Sequence, residues 1–431
     1  MMKTQLLTSG LGTVTDGRSA NYTQRHGILF VLFSIWVLAV PFHRYSVIGT
    51  YSLDNLLAPA LVLLAILLPK VRDRTLALYR YKTLLLAIGL YTLAGLFGLL
   101  KFVNHSDLLK PRAWQILRDG LYFVLPMLYL RDLWTFQIMK RLLVWVTMFG
   151  AISVFFVALG IIELPVERFA ESRIGEGLLP KSVGLFSNYG DLSILYGFVS
   201  VLLISHGRSE LGLLGAPLVK LVLWAGLLAG LVGSQSRNVL FGTLIAIAVY
   251  WLWKLLLNAK GSYRTAVAGL FVSAAIIFPG IIVVFGDSIV GWVSALGGSR
   301  AENTAVQRLE SYSLALNLIV NEPLGLSFRS YAEWATLANH IHNMWIKLML
   351  NSGLMGTLCI AGLFWLSYRG GSKPGTAPLL QNESALVVAS TAAIFVAVQF
   401  YPGQSDMMWI MLGTLISFNW IRRERPVRTF G

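Results

Sequence analysis

Long apolar runs alternate with short polar breaks along almost the whole chain. The runs lie near 28–42, 51–69, 83–101, 114–130, 142–163, 190–206, 213–233, 238–257, 265–286, 343–367, 384–400 and 406–421. They show no period-two alternation, so they predict α-helices and not the strands of a membrane barrel. Crossing the hydrocarbon layer takes about 20 residues, and the shorter runs would need polar ends or tilt to do so. The expected architecture is an all-α polytopic membrane protein with about twelve transmembrane helices in one domain, 28–421. Polar tails, 1–27 and 422–431, flank it. Two breaks are long, 164–189 and 287–342. Inside the second, Ala305–Val320 carries Leu309, Tyr312, Leu314, Leu316 and Leu318 at roughly helical spacing. That spacing predicts an amphipathic helix, which Asn321-Glu322-Pro323-Leu324-Gly325 ends.

Composition agrees with a membrane location. Hydrophobic residues make up 56% of the chain and charged residues 13%, against roughly 25% charged in soluble domains. The single cysteine, Cys359, excludes an internal disulfide and a cysteine metal cluster. A net charge of +15 reads here as topology and attraction to anionic lipid, not as nucleic-acid binding. Residues 1–27 are polar and precede the first run, so they predict a tail and not a cleaved signal peptide.

Lysine and arginine in short loops set orientation. Loops holding Lys70, Arg72, Arg74, Lys140, Arg141 and Arg264, with the arginine-rich C-terminal tail, form the richer set. Both termini are therefore expected in the cytoplasm. The opposite side keeps fewer cations, among them Arg112, Arg173, Arg237 and Arg308. Against the general bias, these become candidates for chemistry.

The stretch His340 to Gly356 combines two histidines, Asn343 and Lys347 at the mouth of the tenth run. Asn343, Lys347 and Asn351 recur every fourth residue and so share one helix face. Ionisable groups at that depth need a partner, a watery cavity or a route to the interface. A histidine there can accept a proton near neutral pH. Arg237 sits in a short polar hinge, Gly233 to Asn238. Its guanidinium offers a planar fork suited to phosphate oxygens. Arg308 opens the amphipathic segment. The chain has no Walker A loop, dinucleotide fingerprint or His-Glu-x-x-His helix, and no recurring acidic pair that suggests a metal. As plain anchors, the same cations would only mark helix ends.

The pair His342-Asn343, followed by an apolar helix and the glycines Gly353 and Gly356, resembles the signature of the bacterial O-antigen ligase and O-antigen polymerase superfamily. Ser236-Arg237 is similar to that family's serine-arginine pair, although Asn238 follows where glycine is expected. Arg308, the helix after it and Pro323-Leu324-Gly325 resemble a further family element, as does Gly184 to Asn188. The resemblance covers roughly 184–366.

It implies an integral-membrane glycosyltransferase whose donor is an undecaprenyl-diphosphate-linked glycan. The acceptor would be a second lipid-linked glycan for a polymerase, or a lipid A-core sugar or protein for a ligase. In that reading His342 is the base, and Arg237 and Arg308 stabilise the leaving diphosphate. His340, Asn343, Lys347, Arg173 and Arg112 bind substrate, and Arg118 is a weaker candidate for the cavity mouth. No cofactor or metal is expected. The site would face the periplasm of a bacterial inner membrane, with chain-length regulator and flippase proteins as possible partners. The competing class is a twelve-helix transporter. Sparse intramembrane charge argues against it, as does the lack of matching interrupted helices in two halves.

Overall fold

A computed structural model of the chain describes residues 17–40, 46–48, 51–67, 82–99, 106–130, 133–162, 182–186, 188–234, 236–258, 299–321, 323, 343–371, 378–399 and 406–424. Its long helices are α1 Gly17–Ala39, α2 Leu53–Leu67, α3 Lys82–Gly98, α4 Ser106–Tyr129, α5 Leu133–Ala158 and α6 Tyr189–Ser205. They continue with α7 Pro217–Ser234, α8 Arg237–Asn258, α9 Ser299–Asn321, α10 Met344–Gly371, α11 Pro378–Gln399 and α12 Asp406–Glu424. A one-turn helix, Arg208–Leu211, and a 3-10 turn, Gly212–Gly215, join α6 to α7. Between α1 and α2 the extended segments Ser46–Ile48 and Tyr51–Ser52 pair antiparallel.

Each expected run except the ninth coincides with a described helix, and the ninth, 265–286, lies outside the described residues. Among the described residues, three helical stretches are long and apolar enough to cross a membrane: Trp134–Ala158, Pro217–Ser234 and Asn238–Leu256. This is a helical, membrane-embedded protein. Several helices start earlier than their apolar runs. α1 begins at Gly17 and α4 at Ser106, because polar lead-in residues extend the helical hydrogen bonding ahead of the apolar part, and α5 begins at Leu133, where Trp134, Phe136, Ile138 and Met139 already belong to the apolar span.

α6 lies at the centre, with every residue from Gly190 to Leu203 buried. An all-round apolar helix belongs inside a bundle. α8 and α11 pack closely on it. A Cβ on Gly197 of α6 would come within 2.8 Å of Ala393, and one on Gly242 of α8 within 2.2 Å of the Ser193 hydroxyl. Small side chains at this seam let the backbones approach. By contrast α7 turns Leu218, Leu221, Val222 and Leu228 outward, each more than half exposed, as a lipid-facing helix does.

Candidate functional site

Three helix starts and one helix end meet at one end of the bundle. The Ser193 hydroxyl, in the first turns of α6, donates to the Asn238 carbonyl at 2.9 Å. The Asn238 amide nitrogen donates to the Ala397 carbonyl at 3.3 Å. Ala397 lies in the last turn of α11, where carbonyls lack a helical partner, so this side chain fills an orphan acceptor. The Ser236 carbonyl accepts from Leu240 N at 3.1 Å and begins α8. Arg237, the first residue of α8, therefore stands on a turn held by α6 and α11. Asn238 has a structural task here, through its carbonyl to α6 and its side chain to α11.

α10 begins at the same end. The Asn343 side-chain oxygen accepts from Trp345 N at 2.9 Å and Ile346 N at 3.2 Å, which is an N-cap. Trp345 packs against Phe395 of α11, with the ring planes tilted at 45° and centroids 5.7 Å apart. Phe395 is two residues from Ala397, so α11 links the start of α10 to that of α8. Lys347 follows one turn after Asn343, half-buried.

α9 docks on the first part of α10. Ala315 and Leu350 are buried together, flanked by Tyr312, Leu318, Ile319 and Ile346. The expected amphipathic helix is present, but Leu314 and Leu316 do not belong to its packed face and are each 52% exposed. The packed stripe is 312, 315, 318 and 319, with i, i+3, i+6, i+7 spacing; Leu314 and Leu316 fall on other faces.

A buried polar network occupies the same half of the bundle. Arg118 of α4 donates to Asp406, the first residue of α12, at 2.7 Å. Asp191 of α6 accepts from Met407 N at 3.1 Å and caps α12, while Asn188 caps α6 by accepting from Asp191 N at 2.7 Å. Tyr91 donates to Asp119 at 3.1 Å, and Tyr122 donates to Asp54 at the start of α2. Arg118 is thus enclosed and paired. Sequence reasoning overlooked its acidic partners. Their signal was present: aspartate in or just before the first turn of three apolar runs, and Arg118-Asp119 inside a fourth.

Of the residues singled out from the sequence, Asn343 and Lys347 are described with their side chains. Arg237 opens α8, Arg308 lies on α9 and Arg112 lies near the start of α4, each described in its backbone only. His340, His342 and Arg173 lie outside the described residues. The elements carrying Arg237, Arg308 and Asn343 come together through α10 and α11. Among the described residues, no group of three or more histidine, cysteine or acidic side chains is placed to hold a metal. No protein-family model matches this chain, and no curated protein is similar enough to count as a relative.

Proposed function

We propose that the protein is a membrane glycosyltransferase of surface polysaccharide assembly. It moves an undecaprenyl-diphosphate-linked glycan to a sugar hydroxyl, as a repeat-unit polymerase in the first reading. A ligase acting on lipid A-core or protein is the second. The observation that carries the proposal is the convergence of three elements: the Arg237 turn of α8, the helix of Arg308, and the Asn343–Lys347 turn of α10. Elements from distant parts of the chain that each carry a cation suit a ligand with concentrated negative charge, and a diphosphate is one.

In the proposed reaction the acceptor oxygen attacks the anomeric carbon and the bond from that carbon to the diphosphate breaks. The bonding pair leaves with the diphosphate, and His342 takes the hydroxyl proton. Arg237 and Arg308 hold the departing charge, a role worth about 10²–10³ in rate per donor lost. Lys347 and Asn343 bind sugar hydroxyls or the second phosphate, with His340, Arg173 and Arg112 at the edge of the site. The site faces the periplasm and both termini are cytoplasmic.

The test is transfer by purified protein in lipid, with a lipid-diphosphate glycan as sole donor and a chelator present. Expected are transfer in the parent and a loss of at least about 10²-fold in Arg237→Ala and His342→Ala. Supplying a second lipid-linked glycan or lipid A-core separates polymerase from ligase. Undiminished transfer in both variants would sink this assignment of roles. No transfer to any acceptor would sink the class.

A further inference from the structure

α10 breaks at Gly353, whose φ of 64° and ψ of −168° lie far from helical values. In an unbroken helix the Leu354 N–H would return to the carbonyl four residues back. Here it is turned outward and donates to the Pro323 carbonyl, 2.9 Å away, in the turn that follows α9. Glycine enters this backbone region without steric penalty, and other residues do not. The break also folds Ser352 over the next turn. A Cβ on Gly356 would lie 2.4 Å from the Ser352 Cβ. One glycine of the pair therefore serves a dihedral angle and the other serves clearance.

The segment of α10 before the break is a wedge. Met344 and Leu348 on one face join the main core, while Ile346 and Leu350 on another receive α9. Ala315 packs with Leu350, and Pro323 bonds Leu354. Both helices therefore run toward the break side by side. Arg308 and Asn343 each lie seven residues before the packed pair Ala315 and Leu350, about 10 Å along their helices at 1.5 Å per residue. The packing that the bond at the break closes off thus sets Arg308 at nearly the height of the α10 cap.

We infer that Gly353 and Pro323 form a clasp that positions α9, and with it Arg308, against the Asn343–Lys347 turn. They are positioning residues for the proposed transfer, and the inference rests on that reading for its functional part. The clasp itself is a matter of geometry and can be tested separately.

The experiment uses full-length protein carrying Cys359→Ser, with spin labels at Glu310 and Met355, both exposed. Distances and transfer rates are measured together in the parent, Gly353→Val and Leu354→Pro. A φ of 64° with a ψ of −168° is a region that essentially glycine alone adopts, so valine is excluded from it. Leu354→Pro removes the donor at the first turn of the resumed helix, where proline is tolerated, and the leucine it replaces is half exposed. It keeps the test decisive if the valine variant fails to fold.

Expected are a shifted label distance and a fall in kcat on the order of 10²-fold in the valine and proline variants. Donor KM should stay close to the parent's. An unchanged distance in Leu354→Pro overturns the clasp. A shifted distance with undiminished kcat overturns the positioning role. If the parent transfers no glycan, the glycosyltransferase reading fails, and the distances alone still decide the clasp.

Discussion

Single side chains hold the polar half of this bundle together by charge. Arg118 and Asp406 are both buried and meet at 2.7 Å, with the guanidinium also 5.6 Å from the Tyr122 ring centre. Ionisable groups inside a membrane protein pair with one another, because an unpaired charge there is strongly disfavoured. Removing one partner of a buried pair typically destabilises by about 3–5 kcal/mol, whereas replacing both by apolar residues can be nearly neutral. Arg118→Met should therefore lower the unfolding temperature sharply, and Arg118→Met with Asp406→Leu should recover much of the loss. A double-mutant cycle in one detergent measures this. Additive losses would mean that the pair carries no coupling.

At the level of elements, α9 is the part whose attachment is easiest to alter. Its described packing is a small patch on α10, centred on Ala315 and Leu350 and apart from the main core. Overpacking a filled site costs typically 1–3 kcal/mol, roughly what a patch this small can resist. Ala315→Phe should expose α9 to protease and to hydrogen exchange while α6 stays protected. Leu314→Ser or Val320→Ser, on exposed positions, should leave α9 as protected as in the parent. Equal release of α9 by Ala315→Phe and Leu314→Ser would contradict the assigned face.

The whole molecule is tied at both ends. Opposite the Asp406 end, Glu383 of α11 accepts from Lys140 of α5 at 2.6 Å through one carboxylate oxygen. His206, just past α6, meets the same oxygen at 2.9 Å, and its other ring nitrogen lies 2.5 Å from the Ser205 hydroxyl. One carboxylate thus joins the ends of three helices. Glu383→Leu leaves Lys140 as a buried charge without its acid and should cost about 3–5 kcal/mol. Lys140→Met in the same chain should restore most of that, while His206→Asn alone should cost less. Thermal unfolding of the four proteins in one detergent checks the ranking. A larger loss in His206→Asn than in Glu383→Leu would remove Glu383 from its central place.

Helix existence was legible in the sequence because lipid and core alike demand long apolar runs, and such runs are local. The alternation around 190–206 or 238–257 needs no distant residue to be read. The turn at Pro323 and the glycine pair Gly353 and Gly356 were legible as motifs for the same reason, whereas Asn343 read as part of a polar stripe and only the structure makes it a cap. What those glycines do was not legible. A dihedral of +64° and a bond from Leu354 to Pro323 depend on where α9 lies. Likewise Arg118 read as a free cation until Asp406, remote in sequence, closed on it. Leu314 and Leu316 read as part of the apolar face of an amphipathic helix until α10 selected the face of 312, 315, 318 and 319. The sequence alone determined which segments become helices and which residues carry charge. Only the tertiary structure decided which charges neutralise one another and which helix face is buried, because both depend on partners that folding alone brings near.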